Sequence, residues 1–132
     1  RKLGWPLGLR ACGGDDCTDE VESLMAGRSN EWLAANLEGF RTLYTGGVGS
    51  GMYDLLVAVG EDGLANDVLS KLDAADAAVA TLTSGLNETA VSDPEVLGNV
   101  HTAIKEVTDL LKVDIATVLS LSVPAESAGD ND

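Results

Sequence analysis

The chain reads as an all-α protein, an antiparallel up-and-down bundle of about four helices, on three observations. Apolar residues recur at spacings of three, four and seven over long stretches. Capping and stop residues sit at the ends of those stretches. No alternation of apolar and polar residues runs long enough to make a strand. Composition agrees, because 45% of the 132 residues are hydrophobic and only 4% aromatic, which gives a core of Leu, Val, Ala and Ile. A chain of this length builds one domain with a substantial core.

Residues 1–27 are rich in Gly and Asp and read as an irregular connector, 28–122 as the bundle, and 123–132 as an acidic tail. The first helix is expected from Ser29 to Tyr44. Ser29 stands at its N-cap, and Glu31 in the first turn complements the helix dipole. Leu33, Leu37, Phe40 and Tyr44 form its apolar stripe, and Gly46 and Gly47 close it. Asn36 falls on or beside the buried face, where an amide must find hydrogen-bond partners. A glycine-rich break over residues 46–51 leads to a short helix with Met52, Leu55, Leu56 and Val59 as its face, ending at Gly60.

The third helix is expected from Glu61 to Ser84, carried by Leu64, Val68, Leu72, Ala75, Val79 and Leu82, with Gly85 as its stop. The fourth has the clearest start: Asp93 caps, Pro94 takes the first helical position, and Glu95 follows. Leu97, Val100, Ile104, Val107, Leu111, Ile115 and Val118 then hold one face as far as about Leu121, with Pro124 beyond the end. At 1.5 Å per residue this helix is ~40 Å long and should be the spine of the bundle.

Charge excludes two partner classes. With 22 acidic and 8 basic residues the net charge is −14. Such a surface repels nucleic acid and anionic lipid headgroups, which need clustered Lys and Arg. No apolar run is long enough to span a bilayer, so no membrane insertion of this segment is expected. Asp15, Asp16, Asp19 and Glu20 read as a solvated acidic loop without the spacing of a calcium-binding hand. Asp130 and Asp132 read as an acidic tail. His101 reads as a structural or surface histidine, and Glu106, five residues on, lies on another helical face, which makes a poor chelate. Asn87-Glu88-Thr89 has the glycosylation pattern but reads as a loop. No phosphate-binding loop, nucleophile elbow or catalytic carboxylate pair is present, so no catalytic or metal-binding residue is assigned.

Cys12 and Cys17 bracket Gly13-Gly14-Asp15-Asp16, a linker free enough to bring two sulfurs together. A small disulfide loop and a pair of free thiols both remain open; a metal site would need further ligands that the chain lacks nearby. A disulfide would place the chain outside the cytosol.

The order of several motifs resembles the imelysin family. Arg1-Lys2-Leu3-Gly4-Trp5-Pro6-Leu7-Gly8 is similar to the K-L-x-x-P-L-G connector of that family. Glu22-Ser23, Ser29, Asn36 and the Tyr44-Thr45-Gly46 ending follow in family order. Thr108 to Ile115, with Leu119, is similar to its last helix, although the tail from Val123 lacks the family's Phe-Asn pair. The likeness spans nearly the whole chain but only the C-terminal half of the family. It implies one half of a two-bundle fold in a bacterial periplasmic or outer-surface protein tied to iron uptake. The family's Gly-x-His-x-x-Glu motif belongs to the N-terminal half and is not carried over to His101.

The resemblance further implies that Glu22, Ser23, Ser29 and Asn36 lie at the interface between halves. The partner is then the N-terminal half, as a separate or nicked chain, or a second copy. No cofactor is implied for this chain; iron or zinc is implied for the complete protein. Two other roles are compatible: the substrate wall of a metallopeptidase, and a stand-alone helical module binding a partner helix through the segment from Met52 to Val59.

Overall fold

A computed structural model describes Cys17, Val21 and residues 24–121. Five helices form the body: α1 (Ser29–Thr45), α2 (Met52–Ala58), α3 (Asp62–Val79), α4 (Leu86–Ser92) and α5 (Pro94–Asp109). A 3₁₀ turn (Leu24–Ala26) precedes α1. A π segment (Leu110–Ile115) and a last α-turn (Ala116–Val118) extend α5. No strand occurs among the described residues. The fold is the all-α bundle that periodicity predicts.

Helix α3 lies at the centre and packs against α1, α2 and α5. Its core face is Ala65, Val68, Leu72, Ala75 and Val79, all buried, against Leu33, Leu37 and Tyr44 of α1 and Leu97, Val100 and Val107 of α5. Ion pairs brace these contacts at the surface. Arg41 of α1 reaches Asp73 and Asp76 of α3 at 2.8 and 2.7 Å, and Lys71 of α3 reaches Glu106 of α5 at 2.8 Å.

The connection from α1 to α2 depends on two glycines. Gly46 ends α1 in the left-handed conformation, with φ of 81°. A Cβ there would strike the backbone of Ser50 and Gly51, and one on Gly51 would strike the carbonyl of Tyr44 and the nitrogen of Gly46. Only glycine permits that close approach. Asp54 then accepts the Gly51 N–H at 2.9 Å, satisfying a donor at the start of α2.

Several boundaries and faces differ from sequence expectation. The N-cap position of α1 falls on Arg28, and Ser29 is the first helical residue, buried at 5% exposure. Helix α3 ends at Val79 instead of Ser84. The hydroxyl of Thr81 donates to the carbonyl of Ala78 at 2.7 Å, and the Leu82 N–H bonds Val79, which tightens the chain into a turn. Gly85 therefore does not stop α3; it precedes α4, a helix that periodicity did not reveal because only Leu86 and Thr89 are buried in it. In α2 Leu56 is buried and Met52 half-buried, while Leu55 and Val59 of the expected apolar face are exposed.

The start of α5 is as expected: Asp93 accepts from the Val96 N–H at 3.3 Å and Pro94 follows. Its end is not a uniform α-helix. The wider π turns shift the helical phase, so Ile115 and Ala116 both face inward and Val118 rotates outward. The helix closes with Leu121 N–H to Ala116 and Ser120 N–H to Thr117, the paired bonds of a Schellman end, with Ser120 at φ of 53°.

Candidate interface site

Two of the four residues expected at an interface fall within the described structure. Ser29 and Asn36 are two turns apart on the same side of α1. Ser29 is buried, whereas Asn36 is exposed. The expected burial of Asn36 is therefore corrected: the core-facing arc of α1 is taken by Leu33, Leu37 and Tyr44, and Asn36 points past its edge. Glu22, Ser23 and Cys12 lie outside the described residues, as do the acidic loop carboxylates and the tail. Cys17 is buried and is not a free thiol.

Around Asn36 the structure gathers residues that a single-stripe reading of α1 passes over. Trp32, Asn36, Gly39 and Leu43 recur at steps of four, three and four, and so share one side of the helix. Trp32 is 55% and Leu43 77% exposed, and Ala35 and Gly39 between them are exposed and small. Between Trp32 and Leu43 this side of α1 carries no charged residue, and the exposed Arg28–Glu31 pair flanks its N-terminal end. The charged residues of α1 are Glu31, Glu38 and Arg41; Arg41 pairs with α3, whereas Glu31 pairs with Arg28 and both glutamates are exposed. Glu31 and Glu38 line a groove with Asp76, Val79 and Ala80, and Arg41 grips Asp73 and Asp76. The signal was present in the sequence as a second helical period, offset from the stripe of Leu33 and Leu37.

The charge-free side runs into an apolar cleft of about 160 Å³ lined by Phe40, Leu43, Tyr44, Met52 and Leu111. Phe40 stacks on Tyr44 at 6.1 Å, and Tyr44 meets Tyr53 edge-on at 6.2 Å. Tyr44 is fixed by its hydroxyl, which donates to the carbonyl of Ala65 at 3.0 Å. Burial pushes this phenol up to about 12, and the nearby Tyr53 adds to the effect.

Elsewhere the titratable groups are structural. His101 is half-buried, its Nε2 has no partner, and burial together with Lys105 holds its pKa below the ordinary value. Glu106 pairs with Lys71, away from His101. The glycosylation-like triplet is not a loop: it forms the first turns of α4, where Thr89 is buried and donates to Gly85 at 3.0 Å. Among the described residues no group of three or more His, Cys, Asp or Glu side chains could hold a metal ion.

Fold and site thus define a class: a small helical bundle whose edge helix presents a charge-free, partly apolar face. The family follows from comparison of the whole sequence. The family model described as Imelysin (Peptidase_M75) matches residues 1–113, and the chain belongs to the imelysin family. No curated protein and no solved structure matches it. No helix among the described residues is long and apolar enough to cross a membrane.

Proposed function

We propose that this chain is the C-terminal helical half of an imelysin-like envelope protein associated with iron uptake. In this reading it completes an interface site with a half that carries the Gly-x-His-x-x-Glu motif. Family membership supports the class. The observation that carries the interface is the charge-free side of α1 from Trp32 to Leu43, with Asn36 at its middle. Exposed apolar side chains gathered on one side of a helix favour association, and here Trp32 and Leu43 stand at the two ends of that side.

The chain supports that site by shape and polar contact. Asn36 offers both a donor and an acceptor to the other half, and Glu22 and Ser23 precede the N-terminus of α1 in sequence. Iron or zinc, if the complete protein holds it, takes its ligands chiefly from the other half. The described residues here offer no fitting cluster, so no catalytic step is derived. A Cys12–Cys17 bridge fits the envelope location, supported by Cys17 not being a free thiol.

The test is affinity capture with the tagged chain, followed by intact-mass and metal analysis. The reading expects a captured chain bearing Gly-x-His-x-x-Glu, and metal bound by the pair but not by this chain alone. Stoichiometric metal on the isolated chain, or capture of no such partner, would count against it.

A further inference from the structure

We infer that the N-terminal segment, residues 1–16, docks as an extended strap in the groove between α1 and α5, with Leu3, Trp5, Leu7 and Leu9 turned to its apolar walls. This groove is distinct from the Trp32–Leu43 side proposed to meet the other half, so the two readings stand or fall separately.

The groove follows from how the helices pack. Helices α1 and α5 both lie against α3 and make no comparable contact with each other. Leu33 and Leu37 form its wall on α1. On α5 the wall is His101, Ile104 and Leu111, which recur at steps of three and seven and are all half-buried. Phe40 and Leu111 close one end, in the apolar cleft beside Tyr44.

Sequence pattern names the occupant. Leu3, Trp5, Leu7 and Leu9 stand at every second position, so an extended chain presents all four on one side and Lys2 and Arg10 on the other. Gly4, Pro6 and Gly8 between them oppose both a helix and pairing in a sheet. Charge favours the docking as well. Residues 1–14 hold Arg1, Lys2 and Arg10 and no carboxylate, whereas the rest of the chain holds all 22 acidic residues and only the other five of the eight basic ones.

Both ends of the segment are tied to this groove. Where it joins the described structure, Cys17 and Val21 are 8% and 5% exposed, and Val21 belongs to the same core cluster as Leu33 and Leu37. At the other end, the α-amino group of Arg1 adds to burial and Lys105 in holding the His101 pKa down. Exposed charges are largely screened beyond roughly 10 Å, so Arg1 lies on the His101 side of α5. Reach is ample. The segment extends to at most ~55 Å, against ~15 Å from His101 to Leu111 along the helix.

The test is photo-cross-linking of the full chain with p-benzoylphenylalanine in place of Trp5. Irradiation, digestion and mass spectrometry should join position 5 to peptides carrying Leu33 and Leu37, or His101 to Leu111, within one chain. Leu7→Asp sets a carboxylate against the apolar walls and should lower that yield several-fold while helical circular dichroism is kept. Acetylation of the Arg1 amine gives a second readout. His101, followed by nuclear magnetic resonance, should then titrate at higher pH, because a neighbouring positive charge is gone. Cross-links that are absent, confined to other regions or formed only between chains overturn the inference. So does a yield that Leu7→Asp leaves unchanged, or a His101 titration that acetylation does not move.

Discussion

The hydroxyl of Tyr44, in the last turn of α1, donates to the carbonyl of Ala65 in the first turn of α3 across 3.0 Å. This bond fixes where α1 ends relative to the central helix. It also holds the wall of the apolar cleft in which Phe40, Met52 and Leu111 meet. Tyr44→Phe keeps the ring and removes the donor. The expected loss is ~1 kcal/mol in denaturant unfolding, the typical net worth of one buried hydrogen bond.

The same tyrosine gives the chain an alkaline limit. Its folded pKa lies near 12, above the ordinary 10.0, so the fold favours the neutral phenol. The sign follows: this contribution is complete below about pH 10 and is lost as pH rises toward 12. Ultraviolet titration should show one tyrosine ionising late and together with unfolding. Tyr44→Phe should abolish that late component.

His101 sets the opposite limit. Its folded pKa is below the ordinary 6.5, lowered first by burial and then by Lys105. A base with a depressed pKa stabilises the fold above its ordinary value and weakens it as pH falls below 6.5. His101→Leu should flatten the decline in melting temperature between neutral and mildly acidic pH. An unchanged decline would show that other groups are responsible.

Backbone conformation yields a pair of opposite effects. Ser120 adopts φ of 53° at the helix end, so Ser120→Gly should stabilise by about 1 kcal/mol by removing left-handed strain. Gly51→Ala should destabilise by more than that, because the added Cβ meets the Tyr44 carbonyl and the Gly46 nitrogen, which are backbone atoms with no room to move aside. Thermal melts of both variants provide the check.

Much of the fold was legible because its signals are local. Periodicity placed Val68, Leu72, Ala75 and Val79 in the core of α3, and Asp93-Pro94 marked the start of α5 within a residue. The misses have physical causes. The hydroxyl of Thr81 ends α3 early through a bond that propensity alone does not reveal. The π segment at Leu110 to Ile115 alters the phase of a helix whose apolar pattern looks regular, and so exposes Val118. The proposed site depends on exposure, which a sequence pattern does not give. Periodicity places Asn36 on or beside the stripe, and the structure shows it exposed, because burial there depends on which helix lies next to it. Periodicity cannot say that α3 takes the side of Arg41 and leaves the side of Trp32 open.

Asn36 separates a structural role from an interface role. Because it is exposed, Asn36→Leu should shift stability by less than about 0.5 kcal/mol, as surface substitutions usually do. Association through α1 should nevertheless weaken several-fold, since a seam amide loses its partners. Melting curves and a binding titration on the same preparation read the two effects independently.

The proposed site requires α1 to be the helix that meets the other half of the protein. The direct measurement is amide hydrogen exchange of this chain with and without the half bearing Gly-x-His-x-x-Glu, comparing wild type with Leu43→Lys. Added protection from Trp32 to Leu43 is expected in the complex, abolished by the substitution. A complex that forms with full affinity while exchange along α1 stays unchanged would contradict it.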